Sequence, residues 1–133
     1  MPTETAGAGE RPMILLAEDD ALTARLIVHR LEREGLVVAH YPDGQAALEA
    51  AQDPDNKPYS LAILDVKMPR MDGFELLGRL KEDPRLEDIP VVMLTAKDSL
   101  MDKLKGKMSG SDEYLTKPFT PEQLMEKVRK HLK

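Results

Sequence analysis

Five side chains of this sequence are of types that do chemistry together, and each stands where an apolar run ends. Glu18 and Asp19 follow Met13–Ala17 (MILLA), and Asp65 closes the run Leu61–Leu64 (LAIL). Thr95 ends VVMLT, and Lys117 follows the short segment Glu113–Thr116. An ionised acid at the end of a buried run costs several kcal/mol unless something pairs with it. If the three acids converge, they repel one another and at least one carboxyl pKa must rise. A hard divalent cation removes that conflict, and carboxylates, a backbone carbonyl and waters in octahedral array suit Mg2+. Asp65 beside such an ion is a nucleophile able to form an acyl phosphate. Lys117 would then pair with incoming phosphoryl oxygens, the Thr95 hydroxyl would hydrogen-bond one of them, and the ion would neutralise charge.

The elements that must bring these residues together alternate along the chain. Met13–Ala17 reads as a strand buried on both faces. A helix follows in which Ala24, Ile27, Val28 and Leu31 recur at helical spacing, closed by Gly35. Leu36–Ala39 reads as the second strand, and Asp43-Gly44 opens a helix with Ala47, Leu48 and Ala51 on one face. After the turn residues Asp53–Pro58, the third strand delivers Asp65. The third helix turns Leu76, Leu77 and Leu80 inward and ends near Asp83-Pro84. The fourth strand is VVMLT, followed by a polar helix from about Ser99 to Met108 and a fifth strand near Glu113–Thr116. Thr120, Pro121 and Gln123 signal the start of a last helix with Leu124, Val128 and Leu132 as its stripe. Five strands alternating with five helices predict a doubly wound parallel sheet with helices on both faces, and the flavodoxin-like (βα)5 form of that architecture has strand order 2-1-3-4-5. That order sets the first and third strands side by side, so Glu18, Asp19 and Asp65 meet at their carboxyl ends.

Composition narrows the function classes. A chain of 133 residues reads as one domain, residues 13–133, behind a flexible tail, residues 1–12. The formal net charge of -5 argues against direct nucleic-acid binding and against an anionic membrane surface. There is no Cys, which removes disulfides, thiol catalysis and Cys-based zinc sites. The opening MPTETAGAGERP has no apolar core of the signal-peptide kind, and no run of about eighteen apolar residues exists, so a soluble cytoplasmic protein is expected.

The set "LLAEDD", "LDVKMPRMDG", "VVMLTAKD" and "DEYLTKPF" closely resembles the receiver domain of bacterial response regulators, the CheY-like family, over Met13 to Lys133. The resemblance implies Asp65 as the phosphoacceptor, with Glu18 and Asp19 as the acidic pair that holds Mg2+, Asp19 directly. It implies the Lys67 backbone carbonyl as a further metal ligand, Thr95 and Lys117 as the phosphoryl contacts, and Tyr114 as the partner of Thr95 in the switch. Pro118 matches a proline whose peptide bond is commonly cis in the family. A sensor histidine kinase or histidine phosphotransfer protein is the implied donor, and a downstream effector or output domain the implied reader of the fourth helix, fifth strand and fifth helix. Phosphorylation-linked dimerisation through that face is left open. Departures are small: the acidic pair begins with Glu, and Ser111 stands where Ala is more usual.

Bland readings compete with some of these. Asp20 reads as a helix N-terminal residue, Asp72-Gly73 as a turn and helix start, and Lys103, Lys105 and Lys107 as a solvated face. Lys67 and Lys97 each sit two residues beyond a site residue, and their ammonium groups are expected at the mouth of the pocket, modulating the access of water. A hydrolase using an aspartyl phosphate would want an acid two residues after the nucleophile; Lys67 occupies that place, so a switch and not an enzyme is expected. No Gly-rich phosphate loop ending in Gly-Lys-Ser/Thr occurs. A flavin-binding protein stays open on architecture alone, and the complete acid, Thr and Lys set argues against a receiver that only docks.

Overall fold

The computed structural model describes residues 11–56, 58–96 and 110–132. Five strands, β1 (Met13–Ala17), β2 (Val37–Tyr41), β3 (Leu61–Asp65), β4 (Val91–Ala96) and β5 (Glu113–Lys117), pair in parallel in the order β2-β1-β3-β4-β5. Helices α1 (Ala21–Arg33), α2 (Gly44–Gln52), α3 (Gly73–Glu82) and α4 (Pro121–His131) complete the described elements. The helix expected from Ser99 to Met108 lies outside the described residues, as does most of the N-terminal tail. The expected architecture and strand order are those of the structure.

Alternation along the strands sorts the core into two layers. Leu15, Ala62, Leu64 and Met93 pack with Ala47 and Leu48 of α2 and with Leu76, Leu77 and Leu80 of α3. Ile14, Leu16, Ile63, Val92 and Leu94 pack with Ala24, Ile27 and Leu31 of α1 and with Leu124, Met125 and Val128 of α4. Each Leu or Ile so buried contributes about 1.5–3 kcal/mol. This is why the strands read as continuous apolar runs: both faces are covered.

Local signals set the helix ends. Asp20 caps α1 by accepting from Thr23 N at 2.9 Å, the bland role expected of it. At the other end Gly35 adopts φ +85°. Its N–H donates to Glu32 O, and Leu36 N–H donates to Leu31 O, the paired closure of a Schellman turn. That closure revises the second strand, expected at Leu36–Ala39 and found at Val37–Tyr41. Leu36 belongs to the helix cap. His40 and Tyr41 extend the strand because an edge strand needs only backbone pairing with β1 and tolerates exposed side chains. Thr120 and Gln123 form the expected capping box on α4. Leu132 follows the helix end, partly buried against the second layer.

The ladders align the carboxyl ends. Ala17 pairs with Leu64 on one side and Tyr41 on the other, so Glu18 and Asp65 are the next residues out. Asp65 pairs with Leu94, and Ala96 with Lys117. Among the described residues no helix is long and apolar enough to cross a membrane.

Candidate functional site

Lys117 sits between two acids at this edge. Its Nζ lies 2.9 Å from Glu18 Oε1 and 3.3 Å from Asp65 Oδ1. Glu18 is fully buried and Asp65 is 6% exposed. Glu18 Oε2 also accepts from Asp20 N at 3.0 Å, which ties the acid to the first turn of α1. Asp19 is exposed at the mouth. Glu18, Asp19 and Asp65 each present a carboxylate oxygen, and these oxygens all lie within 4.8 Å of one another.

Acids exceed cations here, and the Asp65 carboxyl responds to the excess. Burial first, then the charge of Glu18, push its carboxyl up to about 7, against the opposing pull of Lys117. Burial lowers the Lys117 pKa, but its hydrogen bond to Glu18 and the Asp65 charge outweigh this and hold it above the usual lysine value. One ammonium therefore cannot satisfy both buried carboxylates. A set of oxygen donors with surplus negative charge fits a hard divalent cation.

The loop after β3 is held close to Asp65. A Cβ on Gly73 would stand 2.3 Å from the Asp65 carbonyl oxygen, so only glycine fits, and Gly73 N donates to Val66 O at 2.8 Å. The same loop rests on the start of α2: a Cβ on Gly44 would stand 2.2 Å from Met71 O. Arg70, at φ +69°, reaches Asp43 across 3.4 Å. Asp72 and Glu75 form a reciprocal cap on α3. The turn and helix start read at Asp72-Gly73 are present. The cap itself was legible as an acid three residues before Glu75, whereas the Arg70–Asp43 pair spans too many residues to read from spacing.

Thr95 and Tyr114 occupy the other side of the sheet. By alternation Thr95 follows Val91 and Met93 onto the α2–α3 face, and Tyr114, paired in register with Met93, packs against the same layer. Both hydroxyl oxygens are buried, and neither has a hydrogen-bond partner among the described residues. Lys117 and the acids thus meet directly, while Thr95 lies near the end of the neighbouring strand, on the opposite face. Lys67 is exposed in the loop after Asp65, Lys97 lies outside the described residues, and the Lys117–Pro118 peptide bond is cis.

The family model of the response regulator receiver domain matches residues 14–129. The chain belongs to that family. As a receiver domain it is part of two-component signal transduction. It is 42% identical over 120 residues to the DNA-binding dual master transcriptional regulator RpaA of Synechocystis, covering 89% of this chain and 48% of that protein. The chain spans about half the length of the curated relatives it matches. Among solved structures, chemotaxis protein CheY4 of Vibrio cholerae superposes with a TM-score of 0.84 at 31% identity, covering 92% of this chain and 99% of that one. The receiver domain of sensor histidine kinase PA1611 from Pseudomonas aeruginosa, with a magnesium ion coordinated in its active-site cleft, gives a TM-score of 0.82 at 25% identity and covers 91% and 97%.

Proposed function

We propose that this receiver domain is a switch driven by phosphorylation of Asp65. The observation that carries the reading is the Glu18–Lys117–Asp65 cluster, where two buried acids share one cation and Asp65 is the acid left short. A carboxylate oxygen of Asp65 attacks the phosphorus of a phosphohistidine, the P–N bond breaks, and its electron pair stays on the imidazole. Lys117 turns from the acids to the new phosphoryl oxygens. Glu18, Asp19, Asp65 and the Lys67 carbonyl would hold Mg2+, whose charge offsets that of the phosphoryl oxygens. The magnesium-bound PA1611 receiver domain, similar in fold and sequence, supports that assignment.

The readout begins with the Thr95 and Tyr114 hydroxyls, buried and without a hydrogen-bond partner among the described residues. Thr95 moves to donate its O–H to a phosphoryl oxygen, and Tyr114 repacks into the space released on the same face. The face of β5 and α4 changes shape, and an effector or output domain, or a second copy of the chain, reads it. Moving such a two-state element from mostly off to mostly on takes roughly 5 kcal/mol of differential stabilisation. Lys67, with Lys97, then sets the lifetime of the acyl phosphate by restricting water.

The donor also needs a seat. A largely apolar groove of about 540 Å³ lies between α1 and α4, with Leu26, Ile27, Phe119, Arg30, Arg33 and Lys117 among its lining. Leu22 and Leu26 are more than 60% exposed. Lys117 belongs to both groove and site, so a helix of the histidine-bearing donor, apolar on one side and acidic beside it, fits this place. The test of the whole reading is a titration with beryllofluoride and Mg2+, followed by amide spectra of the wild type and Asp65→Asn. Shifts around Asp65, Thr95 and Tyr114 that need the metal and vanish in the variant are expected. Shifts indifferent to Asp65 would leave only a docking module.

A further inference from the structure

Glu18 is fixed at four atoms, and each contact comes from a different residue. Oε1 pairs with Lys117, Oε2 accepts from Asp20 N, and Glu18 N donates to Tyr41 O at 3.1 Å. The fourth contact is the carbonyl oxygen, 2.8 Å from His40 Nε2. A carbonyl only accepts, so the facing ring nitrogen must carry a proton. The neutral Nε2–H tautomer and the imidazolium both meet that need, and the Nδ1–H tautomer does not.

His40 is otherwise hard to explain. It is exposed, on the edge strand β2, opposite Leu16 in the ladder, and takes no part in either core layer. The pairing of β1 with β2 ends at Ala17 and Tyr41. One residue further, Glu18 N–H still finds a strand carbonyl, but among the described residues the Glu18 carbonyl meets this imidazole and no strand N–H. That carbonyl belongs to the peptide joining Glu18 to Asp19, the two acids that the proposed function assigns to Mg2+.

We infer that His40 is a positioning residue for the metal-binding acids: its Nε2–H pins the Glu18–Asp19 peptide and keeps both carboxylates gathered with Asp65. Without it, the carbonyl turns to water, the peptide plane is free to rock, and Asp19, exposed and otherwise lightly held, loses its fixed approach to Asp65. A small loss of order at the peptide becomes a loss of metal affinity, because three acids must be arranged at once.

The inference rests on the Mg2+ reading above, and the experiment separates the two. Mg2+ binding to the full chain is measured by calorimetry for the wild type, His40→Ala, His40→Gln and Asp65→Asn, with melting temperatures taken without metal. His40→Ala is expected to bind Mg2+ about fivefold more weakly, the size of one net hydrogen bond. His40→Gln, whose amide N–H replaces the donor, is expected to stay within about twofold of the wild type, and the metal-free melting temperatures to agree. Equal affinity in His40→Ala overturns the inference, whether or not its melting temperature falls. So does His40→Gln binding as weakly as His40→Ala. Wild-type binding that is absent, or that Asp65→Asn leaves intact, overturns the Mg2+ reading and this inference with it.

Discussion

Asp65 and Glu113 are carboxylates at opposite edges of one sheet, and their pKa values are pushed in opposite directions. For both, burial is the largest single influence and raises the pKa. Asp65 ends up at about 7, whereas Glu113 is held at about 2. The difference lies in the company each keeps. Asp65 faces a second buried acid, Glu18, and shares one lysine with it. Glu113, at the amino end of β5, lies 3.3 Å from each of Lys127, Lys130 and His131 on α4, and also accepts from Tyr114 N. One edge is short of positive charge and the other has it to spare. A shortfall at a buried site destabilises the resting protein and is relieved by a bound cation, so the carboxyl edge is built for an incoming charge. The amino edge holds β5 to α4.

The contrast is broken most severely at Lys117. Lys117→Met keeps much of the side chain's bulk and leaves Glu18 and Asp65 buried without a cation. A loss of about 3 kcal/mol is expected in metal-free denaturant unfolding, and added Mg2+ should recover part of it. A loss under about 1 kcal/mol would mean that solvent already satisfies the two acids, and the shortfall would be illusory.

Asp65→Asn tests the same edge from the other side and should stabilise the metal-free protein. An acid whose folded pKa is raised contributes stability that is present below its unfolded value, near 4, and lost as pH rises through about 7. The amide has no such loss. The variant's advantage should therefore grow from pH 4 to pH 8, reaching about 2 kcal/mol, and shrink when Mg2+ is added to both proteins. An advantage that does not change with pH would remove the titration argument.

Much of this edge was legible in the sequence, for a simple reason. A parallel sheet buried on both faces makes its strands apolar throughout, so a charged residue ending a run marks the edge, and Glu18, Asp65 and Lys117 all announce themselves in that way. Alternation of strands and helices then gives a parallel sheet covered on both faces, and the flavodoxin-like order sets β1 beside β3. What stayed hidden depends on contacts between distant segments or on side chains that look like loop residues. Glu113 reads as the first residue of a short strand, and nothing in its neighbours reveals that Lys127, Lys130 and His131 of α4 close on it. His40 lowers the apolar character of β2, which shortens the strand on paper while strengthening the site in the fold. Met125, buried under α4 beside Leu124, was not in the expected stripe because adjacent positions share a helix face only where the apolar stripe is wide.

Glu113→Gln carries the comparison to the amino edge. Its depressed pKa contributes stability that is present above the unfolded value of 4.5 and lost as pH falls towards about 2. At neutral pH the variant should lose roughly 1–2 kcal/mol, allowing for screening at the more exposed lysines. Its stability should also fall less steeply than the wild type's between pH 4.5 and 2. Parallel curves would show that Glu113 titrates normally and that the two edges do not differ as proposed.

The smallest effect should come from Lys130→Ala. Lys130 is 64% exposed, and without it Glu113 keeps Lys127, His131 and the Tyr114 amide. An exposed ion pair of this kind contributes about 0.2–1 kcal/mol, and redundancy places the expected loss at the low end. The value of the measurement lies beside Lys117→Met: each removes one lysine next to a carboxylate, but only Lys117 is shared by two buried acids. If the two variants lost similar stability, the cations at the amino edge would not be in surplus, and a count of partners would no longer explain why Asp65 and Glu113 titrate apart.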